Sequence, residues 1–203
     1  ILFASPDRGQ SAAVVAAHQV AVGEALGYLE ARALGVQRGS ADERRVLRVD
    51  GAIAAEFVHG TSRSGDPHLH SHLLLANLGR DSSGRFGAID GRALFAHRPA
   101  ADALYRAVLR HELSDRLGVA FDRTISGDAA IREVRRAQVV ALSGRSEEVR
   151  RGVVERPVKE VTSRAEAEEI WSRRLALAPA IDDEQRFVRP RGFLDEHRVT
   201  SSL

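Results

Sequence analysis

Cysteine and methionine are both missing from the 203 residues. Without cysteine there is no disulfide and no thiolate metal site, and the lack suits a reducing cytoplasm. Without methionine even at position 1, the chain reads as a piece of a longer protein, and Ile1-Leu2-Phe3 reads as the middle of a strand. Lysine is nearly missing too: Lys159 is the only one, and every other basic residue besides histidine is arginine. That is why the pI is about 9.6 although the formal net charge is only +2. Arginine suits bidentate phosphate contacts. An Ala- and Arg-rich composition is also what GC-rich coding produces, so charge alone points only weakly to nucleic acid. No apolar run approaches the roughly 18–20 residues that a membrane helix needs, and no signal-peptide pattern opens the chain. The expectation is a protein without membrane insertion. What is present fits a folded domain. The apolar share of 43% is globular, and the length allows one good-sized domain or one domain with a helical extension.

Periodicity divides the chain. Gln10–Val36 reads as a long helix, with Val14, Val15, His18, Val22, Ala25, Leu26 and Leu29 near helical spacing. A polar break over Arg38–Glu43 follows. Val46–His59 carries strand-like stretches, in which alternation sets Ile53, Ala55, Phe57 and His59 on one face. Gly60–Pro67 has loop chemistry, and His68–Leu78 reads as a second strand. Leu73-Leu74-Leu75 makes both faces of that strand apolar, as in a central strand covered on both sides. Asp81-Ser82-Ser83-Gly84 is a tight turn leading into a short strand, Phe86–Ile89, so 52–89 reads as an antiparallel meander. Arg92–Leu117 is a second long helix stopped by Gly118, with Leu94, Tyr105, Val108, Leu109 and Leu113 on its core face. Pro99 suggests that this helix really starts near residue 99. Beyond a soft boundary near Ser126, Ala129–Leu142 and Ser163–Leu177 read as shorter helices, and Pro179 onward as loop. The fold class is α+β: an antiparallel sheet flanked by helices, with a mainly helical C-terminal extension. The expected division is 1–125 as core and 126–203 as extension.

Three histidines stand out by spacing. His70 and His72 are two apart on a strand, so they share a face roughly 6.6 Å apart along it. His59 ends the preceding strand. If the two strands pair across Gly60–Pro67, His59 lies opposite or diagonal to His70, within about 4.5–5.5 Å between Cβ atoms when opposite. Three imidazoles then converge on one divalent ion and leave open positions for substrate oxygens, as in a catalytic site. An H-x-H pair alone is a weak signal. Cupins, many hydrolases and plain surface strands carry it. His68 shares the face but sits at the strand entrance beside Pro67, which favours the rim. His18, His97, His111 and His197 lack partner spacing and read as structural or surface groups. Tyr28 and Tyr105 read as core aromatics on their helices.

With these residues the chain resembles a family. Phe57-Val58-His59-Gly60-Thr61-Ser62-Arg63, Asp66-Pro67-His68-Leu69-His70-Ser71-His72 and Asn77 look like the metal motif of MobF relaxases, the TrwC/TraI type. That family carries Phe-x-His, Ser-Arg, Asp-Pro-x-Leu-His-x-His and Asn in this order, and its metal histidines are spaced eleven and then two apart. Gly84-Arg85-Phe86, Asp90, Ala93-Leu94-Phe95, Ala103-Leu104-Tyr105-Arg106 and Phe3-Ala4-Ser5-Pro6 continue the likeness. It covers roughly Leu2–Phe121 and is thin beyond Ser126. The resemblance implies a fold of the HUH-endonuclease type, in the bacterial cytoplasm. It implies His59, His70 and His72 around one divalent ion (Mg²⁺, Mn²⁺ or Zn²⁺) and nicking of single-stranded DNA at an origin of transfer. In that chemistry a tyrosine attacks the phosphodiester, leaving a 5′-phosphotyrosyl link and a free 3′-OH. Arg63 and Arg85 are candidates for phosphate contacts, 126–203 for the part that closes over DNA, and a helicase domain is expected in the full-length polypeptide.

Two departures accompany the likeness. The family's nucleophilic tyrosines lie well upstream of the segment matching Phe3. Its aspartate that orients one metal histidine falls three residues before the matched Phe, just before Ile1. The metal half of the site is therefore expected here and the nucleophile half upstream, so this chain alone is expected to be inactive. Two other readings stay open: an unrelated histidine-metal enzyme such as a cupin-like hydrolase or oxygenase, and a non-catalytic DNA-binding relaxase remnant. A cupin would bring a Glu and a distant fourth His at barrel spacing, and the long flanking helices speak against it.

Overall fold

The computed structural model describes residues 1–40, 42–123, 129–144 and 163–177. The boundary placed at Ser126 and the loop placed from Pro179 lie outside them. The class is α+β, with small antiparallel sheets and long helices. Residues Leu2–Ala4 form a 3-10 turn, and Phe3 and Ala4 are buried in it. The expected mid-strand is thus a turn, because Phe3 is drawn down into the core.

Helix α1 spans Arg8–Arg32 and begins two residues before the expected start. Asp7 sets that start: its carboxylate accepts from the backbone N–H of Gly9 and Gln10, satisfying two orphan donors. The helix ends before Leu34, and strand β1 (Gly35–Arg38) pairs antiparallel with β2 (Arg45–Arg48). Apolar residues at the end of the helical pattern belong to that strand, with Val36 fully buried. Helix α1 also corrects the expectation about apolar runs. It holds an 18-residue stretch long and apolar enough, by composition, to cross a bilayer. Here it packs against α2 (Gly91–Leu117) and the 3-10 turn, and Val14, Ala17, Ala21 and Val22 are buried.

Strands β3 (Ala54–Thr61) and β4 (Pro67–Leu75) make a hairpin, and β5 (Gly79–Arg80) and β6 (Phe86–Gly87) a second one. Single bridges Val36↔Ile89 and Val49↔Asp81 join the second hairpin to β1 and β2. The expected meander is therefore two hairpins. The leucine triplet is not a central strand: among the described residues β4 pairs only with β3, and Leu74 is 62% exposed. The tight turn holds as expected. Asp81 is fully buried, and its carboxylate is held far below the usual carboxylate range by the Ser83 hydroxyl and then by Arg38.

Helix α2 runs unbroken from Asp90, whose side chain caps Arg92 N–H, to Gly118 in the left-handed conformation at φ 65°. Pro99 lies inside the helix rather than at its start. It lacks the N–H that would reach the Phe95 carbonyl, so one ladder bond is given up. After β7 (Phe121–Arg123), strand β8 (Ala129–Ile131) pairs back to it, so the first expected C-terminal helix shortens to α3 (Arg136–Ala141). Helix α4 (Arg164–Ala176) matches the second, with Ser163 and Glu166 forming a capping box.

One cluster joins the first and last described helices: Phe3, Ala4, Val14, Ala17, Leu113, Leu142, Ala167 and Trp171. The Phe3 and Trp171 rings lie 6.0 Å apart, and the Arg164 guanidinium sits 4.3 Å over the Phe3 ring. Arg164 also donates to Ser11 Oγ, which in turn donates to the Phe3 carbonyl.

A candidate metal centre on the β3–β4 hairpin

The hairpin register decides the site. His59 stands directly opposite His70, and Phe57 opposite His72, so alternation puts His59, His70 and His72 on one face. The register then slips by one residue at Gly60. Gly60 is required there by contact: a Cβ would meet the Phe3 ring at 2.9 Å. The slip ends the ladder just past His59 and lets the loop of residues 62–66 fold back. Ser62 Oγ accepts from the N–H groups of Ser64 and Asp66, and Gly65 turns the chain at φ 73°.

That loop is clamped from the C-terminal segment. Trp171 Nε1–H donates to the Gly65 carbonyl at 2.7 Å, and Arg174 pairs with the buried Asp66 carboxylate at 2.9 Å. The Asp-Pro of the motif is thus structural: Asp66 anchors the loop to α4, and Pro67 opens β4. Asn77 has a similar part, its Oδ1 accepting from Ile89 N–H.

The three imidazoles form a near-equilateral triangle, with centroid separations of 5.0, 5.0 and 5.3 Å. One ligand nitrogen from each lies within 4.8 Å of the other two. His70 Nδ1 is 2.8 Å from the His68 carbonyl. A carbonyl only accepts, so Nδ1 carries the proton and Nε2 presents its lone pair. This is the orienting bond that metal-binding imidazoles commonly have. Three imidazole nitrogens, mutually close and on half-buried or exposed residues, suit one borderline divalent ion.

His68 does not join the triangle. Its ring stacks on His70 at 4.6 Å and lies outside the group of three. His68→Ala should therefore leave metal affinity within about tenfold, or about 1.4 kcal/mol. Titration of Zn²⁺ into both proteins checks this, and a loss as large as that of His70→Ala would make His68 a ligand.

Arg63 is exposed on the clamped loop between the histidine strands. Arg85 lies elsewhere, on the β5–β6 turn beside β1 and β2, with Nε on Ser83 Oγ at 3.3 Å. The structure therefore places Arg63 on the histidine hairpin and Arg85 on a separate one. The two tyrosines are engaged: Tyr105 hydroxyl with His18 Nδ1 and Tyr28 hydroxyl with His97 Nδ1, both at 2.8 Å. Sequence reasoning missed the polar partners on the opposite face of the hairpin. His18 Nε2 lies 2.8 Å from Ser71 Oγ, which donates to Glu56 Oε1 at 2.6 Å. Alternation puts Ser71 and Glu56 on that face, but the partner comes from α1 and needs the tertiary fold. Burial lowers the pKa of His18, and burial raises that of Tyr105.

Fold and triad together define a relaxase-type domain, and the TrwC relaxase family model matches residues 1–180. The chain belongs to that family. It is similar to the multifunctional conjugation protein TraI of Escherichia coli (strain K12), 29% identical over 152 residues, which is 70% of this chain and 8% of that protein. Among solved structures it is similar to the conjugative relaxase TrwC in complex with oriT DNA, metal-bound. The TM-score is 0.73 at 25% identity, covering 81% of this chain and 64% of that one. The metal-free complex gives the same TM-score and identity, covering 65% of that chain. The chain thus spans less than a tenth of the TraI polypeptide and under two thirds of the TrwC chains.

Proposed function

We propose that this chain carries the metal half of a relaxase domain that nicks single-stranded DNA at an origin of transfer, in the bacterial cytoplasm. His59, His70 and His72 hold one divalent ion there. The observation that carries the reading is the triangle of imidazoles on one hairpin face, with His70 oriented by the His68 carbonyl. A bound ion would supply Lewis-acid polarisation of a phosphate oxygen. The chain's own residues do the rest: the hairpin fixes the ligands, and α4 holds the loop that presents Arg63. Residues 1–125 carry the site and 126–203 the part that closes over DNA, although α4 shares the core of the first segment through Trp171 and clamps its loop. The similar TrwC relaxase is in complex with oriT DNA, and the similar TraI is a multifunctional conjugation protein. The far greater length of TraI leaves room for a helicase domain in the full polypeptide here.

Single-stranded oligonucleotide should bind weakly and salt-sensitively, since Arg63 and Arg85 would release condensed counterions. Each arginine-to-alanine change should flatten the plot of log affinity against log salt by about 0.7, the single-strand value per phosphate contact. Fluorescence anisotropy across a salt series measures it. A slope untouched by both changes would remove these two residues from the interface.

The nucleophile of the proposed reaction is a tyrosine outside these 203 residues. Tyr28 and Tyr105 each spend the hydroxyl on a histidine, between packed helices. Incubation of the chain with labelled origin DNA and Mn²⁺ should give no covalent band on a denaturing gel. A band lost in Tyr28→Phe or Tyr105→Phe would identify an internal nucleophile instead.

A further inference from the structure

Ser71 sits between two proposed metal ligands and points the other way. Its hydroxyl proton goes to the Glu56 carboxylate, which only accepts. The 2.8 Å approach of His18 Nε2 must then be an N–H donating to Ser71 Oγ. His18 Nδ1 is left with a lone pair, and it accepts the Tyr105 hydroxyl. Three bonds thus run in one direction, Tyr105 to His18 to Ser71 to Glu56, crossing from α2 through α1 to β4 and β3. One neutral tautomer of His18 satisfies all of them, and His18 is only 3% exposed.

The surroundings make this chain more than a packing detail. An open cleft of about 760 Å³ lies between β4 and the two long helices, lined by Val22, Leu69, Leu73, Leu94, His18 and Tyr105. Apolar packing on the core holds β4 at Leu69, and beside the cleft its support is the hydrogen-bonded chain. The hydrogen-bonded chain spans the gap, at the residue flanked by His70 and His72. Metal coordination at about 2.0–2.1 Å tolerates little drift of that strand, and sites of this kind need their ligands held within about 0.5 Å.

We propose that Tyr105, His18, Ser71 and Glu56 form a positioning chain that sets the ligand geometry of His70 and His72 from beneath the strand. It rests on the reading of His59, His70 and His72 as the metal site. None of the four touches the ion.

The test uses the full 203-residue chain, with Zn²⁺ affinity from chelator competition and the visible absorption bands of bound Co²⁺ as a readout of ligand geometry. Ser71→Ala should bind Zn²⁺ about 10–100-fold more weakly, the usual range for lost outer partners, and shift the Co²⁺ bands. Ser71→Thr, which keeps the hydroxyl and suits a strand, should restore both. Tyr105→Phe, at the far end, should move both readouts in the same direction by less. Wild-type affinity and bands in Ser71→Ala, alongside lost binding in His70→Ala, would overturn the positioning chain and leave the metal site standing. Equal Zn²⁺ binding by the wild type and His70→Ala would overturn the metal site itself, and the chain with it. If circular dichroism shows that Ser71→Ala does not fold, Tyr105→Phe decides: unchanged affinity and bands overturn the proposal.

Discussion

Zn²⁺ uptake is expected to fall by more than about a hundredfold when His59, His70 or His72 is replaced by alanine, since even outer-shell losses cost about 10–100-fold. The reason is the geometry of the triangle. Each ring supplies one nitrogen within 4.8 Å of the other two, so removing any one leaves two donors where the ion needs a third. The three variants should behave alike, because none of the rings is redundant: His68, the nearest spare imidazole, stacks on His70 and lies outside the cluster. All three positions are accessible strand residues, so the substitutions should leave the fold intact by circular dichroism. Isothermal calorimetry, or anomalous scattering from crystals soaked in Zn²⁺, measures the loss. Unchanged uptake in all three variants would remove the metal site. A loss confined to His70 and His72 would mean that the hairpin holds its ion through one strand.

Trp171→Ala is expected to destabilise the protein by about 3–5 kcal/mol, the range for an aromatic deleted from a core. Trp171 is 1% exposed, packs on Phe3 and donates its indole N–H to the Gly65 carbonyl. Alanine leaves a cavity and an unpaired carbonyl together. With about 2–4 °C lost per kcal/mol at this size, the melting temperature should drop by roughly 6–20 °C. Thermal denaturation followed by far-ultraviolet circular dichroism reads it. Trp171→Phe, which keeps the ring packing and loses only the indole donor, should cost less. A loss below about 1 kcal/mol, the level of an ordinary substitution, would mean that α4 is not part of the cooperative core.

The histidine hairpin is legible in the sequence because its information is local. Alternation fixes the faces, the turn residues of 60–67 fix where the chain reverses, and the register observed places His59 opposite His70 as that pattern requires. Gly118 and the Asp81 turn are legible for the same reason, since a left-handed stop and an Asp-x-x-Gly turn are written within four residues. Leu73-Leu74-Leu75 misleads because an apolar run looks the same whether a strand is covered on two faces or left partly open. Pro99 misleads because tertiary packing of α2 on α1 outweighs one missing backbone bond. Val36 fits the helical pattern because helix and strand periods agree over so short a stretch, and pairing with Leu47 of β2 decides between them, with a bridge to Ile89 beside it. The role of His18 escapes the sequence because its partners, Tyr105 and Ser71, lie 87 and 53 residues away. No spacing rule reaches that far. The clamp of Trp171 on Gly65, 106 residues apart, is hidden in the same way.

The core around Phe3 also sets a clock. Phe3 leaves the ribosome long before Trp171, the ring that covers it. At about 5–20 residues per second of synthesis, roughly ten to thirty seconds separate the two. Throughout that interval the face of Phe3 that Trp171 covers waits for a helix not yet made. Hydrophobic collapse takes microseconds, so the delay belongs to translation and not to the chain. The length of exposure is written into the order of the residues.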